Sequence, residues 1–250
     1  RQMCIRDRTT LLRKIAGQLD GSGITVDGEA PYDNEKVLGK IVLMGIDNPL
    51  PEGWNVKKVF TVAGLRWPSW DQNRAEELVE RFELPMKNYS GLSRGQKSAA
   101  SFIVAVASGV PYMLLDEPYL GLDAAKREVF YDVLREEHGR TIIVSTHHLN
   151  ELSGLLDTVA LMGENPLSGP IDEFIEGVVQ LTGPAEALDR ALGRLQLPVL
   201  ERESSAVADR ALVDARPNHT ANVFDMAQEM GLRATEVSLE QAVLALGETR

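Results

Sequence analysis
Apolar and polar positions divide this chain into three zones by their spacing. Residues 9–19 carry apolar positions at helical intervals and stop near Gly21, and residues 23–28 read as a strand and turn. Residues 37–44 are predicted as a second strand, β-branched near its end. The zone 47–92 is rich in Pro and Trp early and helical later. Within it, residues 73–82 mix acids, bases and apolar residues at helical spacing, with Asp71 placed as N-cap. Residues 99–115 form the longest apolar stretch. Ser101, Ser108, Gly109 and Pro111 interrupt it, so it reads as a buried helix, a turn and a strand and is too broken to span a membrane. Beyond Pro166 the pattern becomes that of a small α+β unit. Strands are predicted at 178–181, 197–201 and 210–213. Helices are predicted at 184–195, with Pro in the first turn, at 222–230, ending at Gly231, and at 238–246, with Ser238 as N-cap and Gln241 three positions on. There are no internal repeats, low-complexity tracts or long heptad runs.

Chemistry enters at the end of one apolar run. Tyr112-Met113-Leu114-Leu115 leads straight into Asp116-Glu117-Pro118. Four apolar residues followed by two acids describe a strand buried on both faces that ends at the carboxyl edge of a sheet, where open α/β sheets bind ligands. An Asp there can hold Mg²⁺, which takes few carboxylates, several waters and phosphate oxygens. Glu117 projects differently and is placed to orient or deprotonate a water. A second β-branched run, Ile142-Ile143-Val144-Ser145-Thr146, carries His147 to the same edge, within reach of a terminal phosphate. Taken singly, each is an ordinary strand-end residue. The combination, within about sixty residues of Leu92-Ser93-Arg94-Gly95-Gln96 and Gly121-Leu122-Asp123, outweighs that alternative.

Composition narrows the class further. The net charge of −11 gives no global reason to bind nucleic acid or anionic lipid, so a partner must bring the protein to any membrane. The single cysteine, Cys4, excludes a disulfide framework and a cysteine metal site. No secretory signal is visible, and the sequon Asn218-His219-Thr220 has no use in a cytosolic chain.

In these residues the chain resembles the ATP-binding subunit of ABC transporters. Residues 92–96 look like that family's signature loop, with Arg94 where Gly is common. Asp116-Glu117 look like its Walker B pair, Gly121-Leu122-Asp123 like its D-loop, and His147 like its switch histidine. The resemblance implies an α/β, P-loop-NTPase-like ATPase core over residues 9–170. A helical subdomain would occupy about 47–92, and a small α+β appendage residues 171–250. It implies ATP and Mg²⁺ as cofactors, transmembrane permease subunits as partners, and a second ATPase subunit packed head to tail, at the inner face of the cell membrane. Ser93, Gly95 and Gln96 would then close over the ATP of the other subunit, and Asp123 would bridge the two. Glu117 and His147 would be catalytic. Thr9 and Asp116 would handle Mg²⁺, with Asp47 as a third metal residue at the loop that opens the helical zone; Thr9 and Thr10 would contact the nucleotide. His148 reads as a bystander.

Thr9-Thr10-Leu11-Leu12-Arg13-Lys14 resembles the segment after the P-loop lysine in that family, which puts Arg8 where Lys is expected. Yet residues 1–8 contain no Gly and no Lys, and no G-x-x-x-x-G-K-[ST] run occurs in the chain. Residues 1–8 are expected to be a cloning or sequence-assembly scar in place of the natural start. The alternative is a degenerate, non-hydrolysing nucleotide-binding subunit; a soluble ABC-type ATPase is the other rival. Trp54, Trp67 and Trp70 all fall in the middle zone. They read either as a docking groove for a membrane partner, with Trp54 or Trp67 as the exposed ring, or as the zone's own core.

Overall fold
The computed structural model describes residues 5–45, 50–146, 149–162, 166–216 and 220–248. Its internal contacts divide the chain into two compact units, residues 4–147 and 148–250.

The first unit is built around three parallel strands in the order β1 (Ile41–Gly45), β2 (Tyr112–Asp116), β3 (Thr141–Ser145). Their last residues stand in register, Gly45 beside Asp116 and Asp116 beside Ser145. Met113, Leu114 and Leu115 are essentially inaccessible, as a central parallel strand covered on both faces must be. Parallel strands need crossovers, and here these are helical: α3 (Val56–Arg66), α4 (Gln72–Arg81) and α5 (Arg94–Ala107) between β1 and β2, and α6 (Ala124–Glu136) between β2 and β3.

Local chemistry sets the helix starts. Asn55, Asp71, Ser93 and Asp123 each accept a hydrogen bond from a backbone N–H in the first turn of the helix they precede. From Ser98 to Ala107 every side chain of α5 is buried, so this helix forms the centre of the unit. Phe102 on α5 meets Phe130 of α6 at 4.5 Å and Phe82 at 5.9 Å between ring centroids, and Tyr119 meets Phe130 edge-on.

Two predicted strands are corrected. Residues 23–28 form only a single bridge, Val26 with Glu29, because Asp27 and Gly28 both take left-handed conformations and turn the chain back at once. Residues 37–44 split. Asn34 caps a one-turn helix, α2 (Glu35–Leu38), Gly39 ends it, and the strand itself runs from Ile41. The first helix, α1 (Ile5–Ile15), begins before Thr9 and ends before Leu19. Its Leu12, with Ala16 just beyond its end, packs with Ile41, Leu43 and Leu114, and Thr9 near its start reaches Asp116 at the carboxyl edge of the sheet.

The second unit opens with a short helix, α7 (Leu149–Leu152), an antiparallel pair, β4 (Thr158–Leu161) and β5 (Leu167–Pro170), and α8 (Ile171–Ile175). A βαββαβ run comes next: β6 (Val178–Gly183), α9 (Ala185–Leu195), β7 (Val199–Glu203), β8 (Asp209–Asp214), α10 (Thr220–Glu229) and β9 (Arg233–Glu236). The strands lie in the order β7-β8-β6-β9, the split βαβ arrangement of ferredoxin-like units. One sheet face packs Val179, Leu181, Ala211 and Val213 against Leu188, Ala191 and Leu195 of α9 and Val223 and Ala227 of α10. α11 (Leu239–Glu248) covers part of the other face through Ala242 and Leu246. As predicted, Ser238 and Gln241 cap it reciprocally.

Candidate functional site at the carboxyl edge of the parallel sheet
Asp116 is the last residue of β2 and is 9% exposed. Its Oδ2 accepts a hydrogen bond from the Thr9 hydroxyl at 2.6 Å, across 107 positions of sequence. Gly45 stands beside it, and a Cβ there would come within 2.7 Å of the Asp116 carbonyl oxygen. Only glycine lets the end of β1 approach the acid so closely. The donor pair Thr9 and Asp116 is all oxygen and carries one carboxylate, which suits a hard cation that takes its other ligands from water and phosphate. Among the described residues no three His, Cys, Asp or Glu side chains converge on a metal position.

Glu117 follows with φ of +47°, a left-handed conformation that costs a non-glycine residue about 1–2 kcal/mol. Its N–H still continues the ladder to β3, donating to the Ser145 carbonyl at 3.0 Å, and the left-handed backbone then turns the chain off the strand. Strain of this kind concentrates at functional sites. Arg8, on the first turns of α1, lies 3.8 Å from Glu117 Oε1 and donates to the Thr146 carbonyl. Its Nε is buried with no partner among the described residues. An orphaned guanidinium N–H at the end of a parallel sheet fits an anionic group such as a phosphate oxygen.

A second cluster forms around the start of α5. Ser93 and Gln96 make a full capping box, with Ser93 Oγ accepting from Gln96 N and Gln96 Oε1 accepting from Ser93 N. Both Ser93 and Arg94 face solvent. Gly95 packs on Gly121, so that a Cβ at Gly95 would meet the Gly121 carbonyl oxygen at 2.3 Å. Asp123 is exposed and caps α6 through Lys126 N.

The structure thus brings Thr9, Asp116 and Glu117 together at one edge and Ser93, Gly95, Gln96 and Asp123 together at two adjoining helix starts. Thr10 is exposed one position along α1. His147, His148, Asp47, Cys4 and the sequon at Asn218 and His219 lie outside the described residues. Trp67 is corrected: it is 6% exposed and belongs to the core, whereas Trp54 is half-buried with Lys58 Nζ 4.8 Å from its ring centre. Trp70 is half-buried against Phe60. Sequence reasoning missed the pairing of Arg8 with Glu117 and the closeness of Gly45 to Asp116. A glycine ending a buried strand was the available signal for the second.

Comparison with known proteins bears on the family and the fold. The family model described as "AAA domain, putative AbiEii toxin, Type IV TA system" matches residues 72–153. The ABC transporter ATP-binding protein YtrB of Bacillus subtilis is 27% identical over 207 residues, covering 78% of this chain and 70% of that protein. The daunorubicin/doxorubicin resistance ATP-binding protein DrrA of Streptomyces peucetius is 28% identical over 220 residues, covering 83% of this chain and 61% of the relative. These relatives are ATP-binding proteins of ABC transporters, the family that the sequence motifs resemble. In fold, a solved ATP-binding subunit of an ABC transporter superposes with a TM-score of 0.57 at 21% identity, over 66% of this chain and 75% of that one. The fold is therefore that of an ABC ATPase domain, a P-loop-NTPase-type α/β core with a helical subdomain, followed in this chain by a C-terminal α+β unit. Among its described residues no helix is long and apolar enough to cross a membrane.

Proposed function
We propose that this ABC subunit binds and hydrolyses ATP to power transport through membrane-embedded partners, as an exporter. The observation that carries this reading is the convergence of Thr9, Asp116 and Glu117 at the end of one buried strand. Thr9 and Asp116 would hold Mg²⁺, which when bound neutralises charge on the β- and γ-phosphates. Glu117, lifted off the strand by its left-handed backbone, would orient the attacking water and take its proton, a contribution on the order of 10²–10⁴ in rate. His147 would sense the γ-phosphate. Ser93, Gly95 and Gln96 would close over the nucleotide of a second subunit, and Asp123 would bridge the two. Export is favoured by the C-terminal appendage and by the resistance function named for the Streptomyces relative. In this reading the subunit works on the inner face of the cell membrane.

The test is Glu117→Gln in a protein carrying a G-x-x-x-x-G-K loop ahead of Thr9. Turnover should vanish while ATP binding persists, and an ATP-trapped dimer should accumulate on size exclusion. Asp116→Asn should instead weaken nucleotide affinity as well. Near-parental hydrolysis by the Glu117→Gln protein would remove this residue from the mechanism.

The 250-residue chain itself should bind Mg-ATP poorly. It has no glycine-rich cradle for the phosphates, and Arg8 already spans Glu117 and Thr146. Calorimetric titration measures this directly, and micromolar binding would contradict it.

A further inference from the structure
Three independent contacts fasten the start of α5 to the turn after Glu117. The Ser98 hydroxyl, 7% exposed, donates to the Leu120 carbonyl at 2.7 Å. Gly95 and Gly121 lie back to back, with no room for a side chain at Gly95. Gly121 adopts φ of +86°, and Arg94 lies across it, its Cγ 3.0 Å from where a Cβ would sit. The turn is also continuous with the acid, because Leu120 N donates to the Glu117 carbonyl and Leu122 N to that of Tyr119. At the other end, Gln96 N and Lys97 N donate to the Ser93 hydroxyl and carbonyl. A small void of about 10 Å³, lined by Ser98, Gly45 and Glu117 among others, sits behind the junction.

We infer that Ser98, with the Gly95–Gly121 contact, is a positioning element that makes the Glu117 turn and the Ser93 loop a single mechanical part. The proposed function gives the inference its meaning, since there Glu117 serves the subunit's own nucleotide and Ser93 that of its neighbour. A displacement of Glu117 in one subunit is then delivered to the neighbour's site without passing through the sheet. Two backbones in van der Waals contact, with a buried hydrogen bond between them, have little freedom to shift separately.

Amide hydrogen exchange on the 250-residue chain tests the linkage without nucleotide. Four protected amides report on it: Gln96 and Lys97 on one side, Leu120 and Leu122 on the other. Ser98→Ala should speed exchange at all four together, by about fivefold, the effect of one lost buried hydrogen bond. Ser98→Thr, which keeps the hydroxyl, should restore protection at all four. Ser108→Ala removes a fully buried hydroxyl at the far end of α5 and should leave these amides unchanged. Gly95→Ala should expose Leu120 and Leu122 by pushing the turn away. Faster exchange at Leu120 and Leu122 alone in Ser98→Ala, with Gln96 and Lys97 unaltered, would overturn the inference, as would an equal effect of Ser108→Ala. If the ATPase reading failed, the four amides would still respond together, so the two failures can be told apart.

Discussion

At the residue scale, the three tryptophans show how one residue type divides by environment. Trp67 is buried, and its indole Nε1 has no hydrogen-bond partner among the described residues. It contributes by filling space, so Trp67→Phe should be tolerated, while Trp67→Ala should cost about 3–5 kcal/mol of stability, read as a lowered urea midpoint. Trp54 is half-buried beneath Lys58, and its removal should shift stability by under about 1 kcal/mol. In co-purification with a membrane subunit, Trp54→Ala should lose assembly while basal ATP hydrolysis persists. Equal destabilisation by the two alanine variants would place both rings in the core. The sequence located all three rings in one zone but could not sort them, because burial depends on which helix face meets α5. Glu117 is a parallel case. Its type and position were legible, and its left-handed backbone was not, since no glycine or asparagine stands there to announce a positive φ.

At the element scale, helix starts were the most legible feature and short strands the least. Asp71 and Ser238 cap the helices they were predicted to cap, because capping is decided within four residues. The strand expected at 23–28 gave way to a turn, and the one expected at 37–44 lost its first residues to a one-turn helix while Ile41–Gly45 formed the strand. The ties between elements were invisible in sequence. α4 is joined to the end of α6 by Arg74 and Arg81, both of which reach Glu136, with Glu77 and Glu137 at the margins. Hydrogen bonds from Arg81 and then Arg74 lower the Glu136 pKa below its ordinary value. Burial pulls the Arg74 guanidinium the other way, but its bonds to Glu136 and Glu77 outweigh that desolvation and raise its pKa. A lowered carboxylate pKa stabilises the fold above the unfolded value near 4.5 and loses that effect as pH falls through the folded value. Glu136→Gln should therefore destabilise by about 0.5–1 kcal/mol at neutral pH, a modest figure because the carboxylate is 43% exposed. The difference from the parent should shrink below pH 4.5 and with added salt. A constant difference from about pH 7 to about pH 3 in chemical denaturation would refute the ion-pair origin.

At the scale of the whole molecule, the second unit has a core of its own, with Val179, Leu181, Leu188, Val213 and Val223 inaccessible. Residues 148–250 expressed alone should fold cooperatively, with a single denaturant transition and dispersed amide resonances. A fragment without dispersed resonances would show that this core needs residues 4–147. The sequence by itself determined the chemistry-bearing segments and their order: the acid pair after a four-residue apolar run, the Leu92–Gln96 segment ahead of it, and the change to an α+β pattern after Pro166. These are legible because strand burial, helix capping and turn formation act over a few neighbouring residues. Tertiary structure alone decided which of those segments meet. It set the bond from Thr9 to Asp116 across 107 positions, the approach of Arg8 to Glu117, the contact of Gly95 with Gly121, and the β7-β8-β6-β9 order of the second sheet. Such pairings arise from how apolar surfaces close over one another, and one chain segment carries no record of the surface that will cover it.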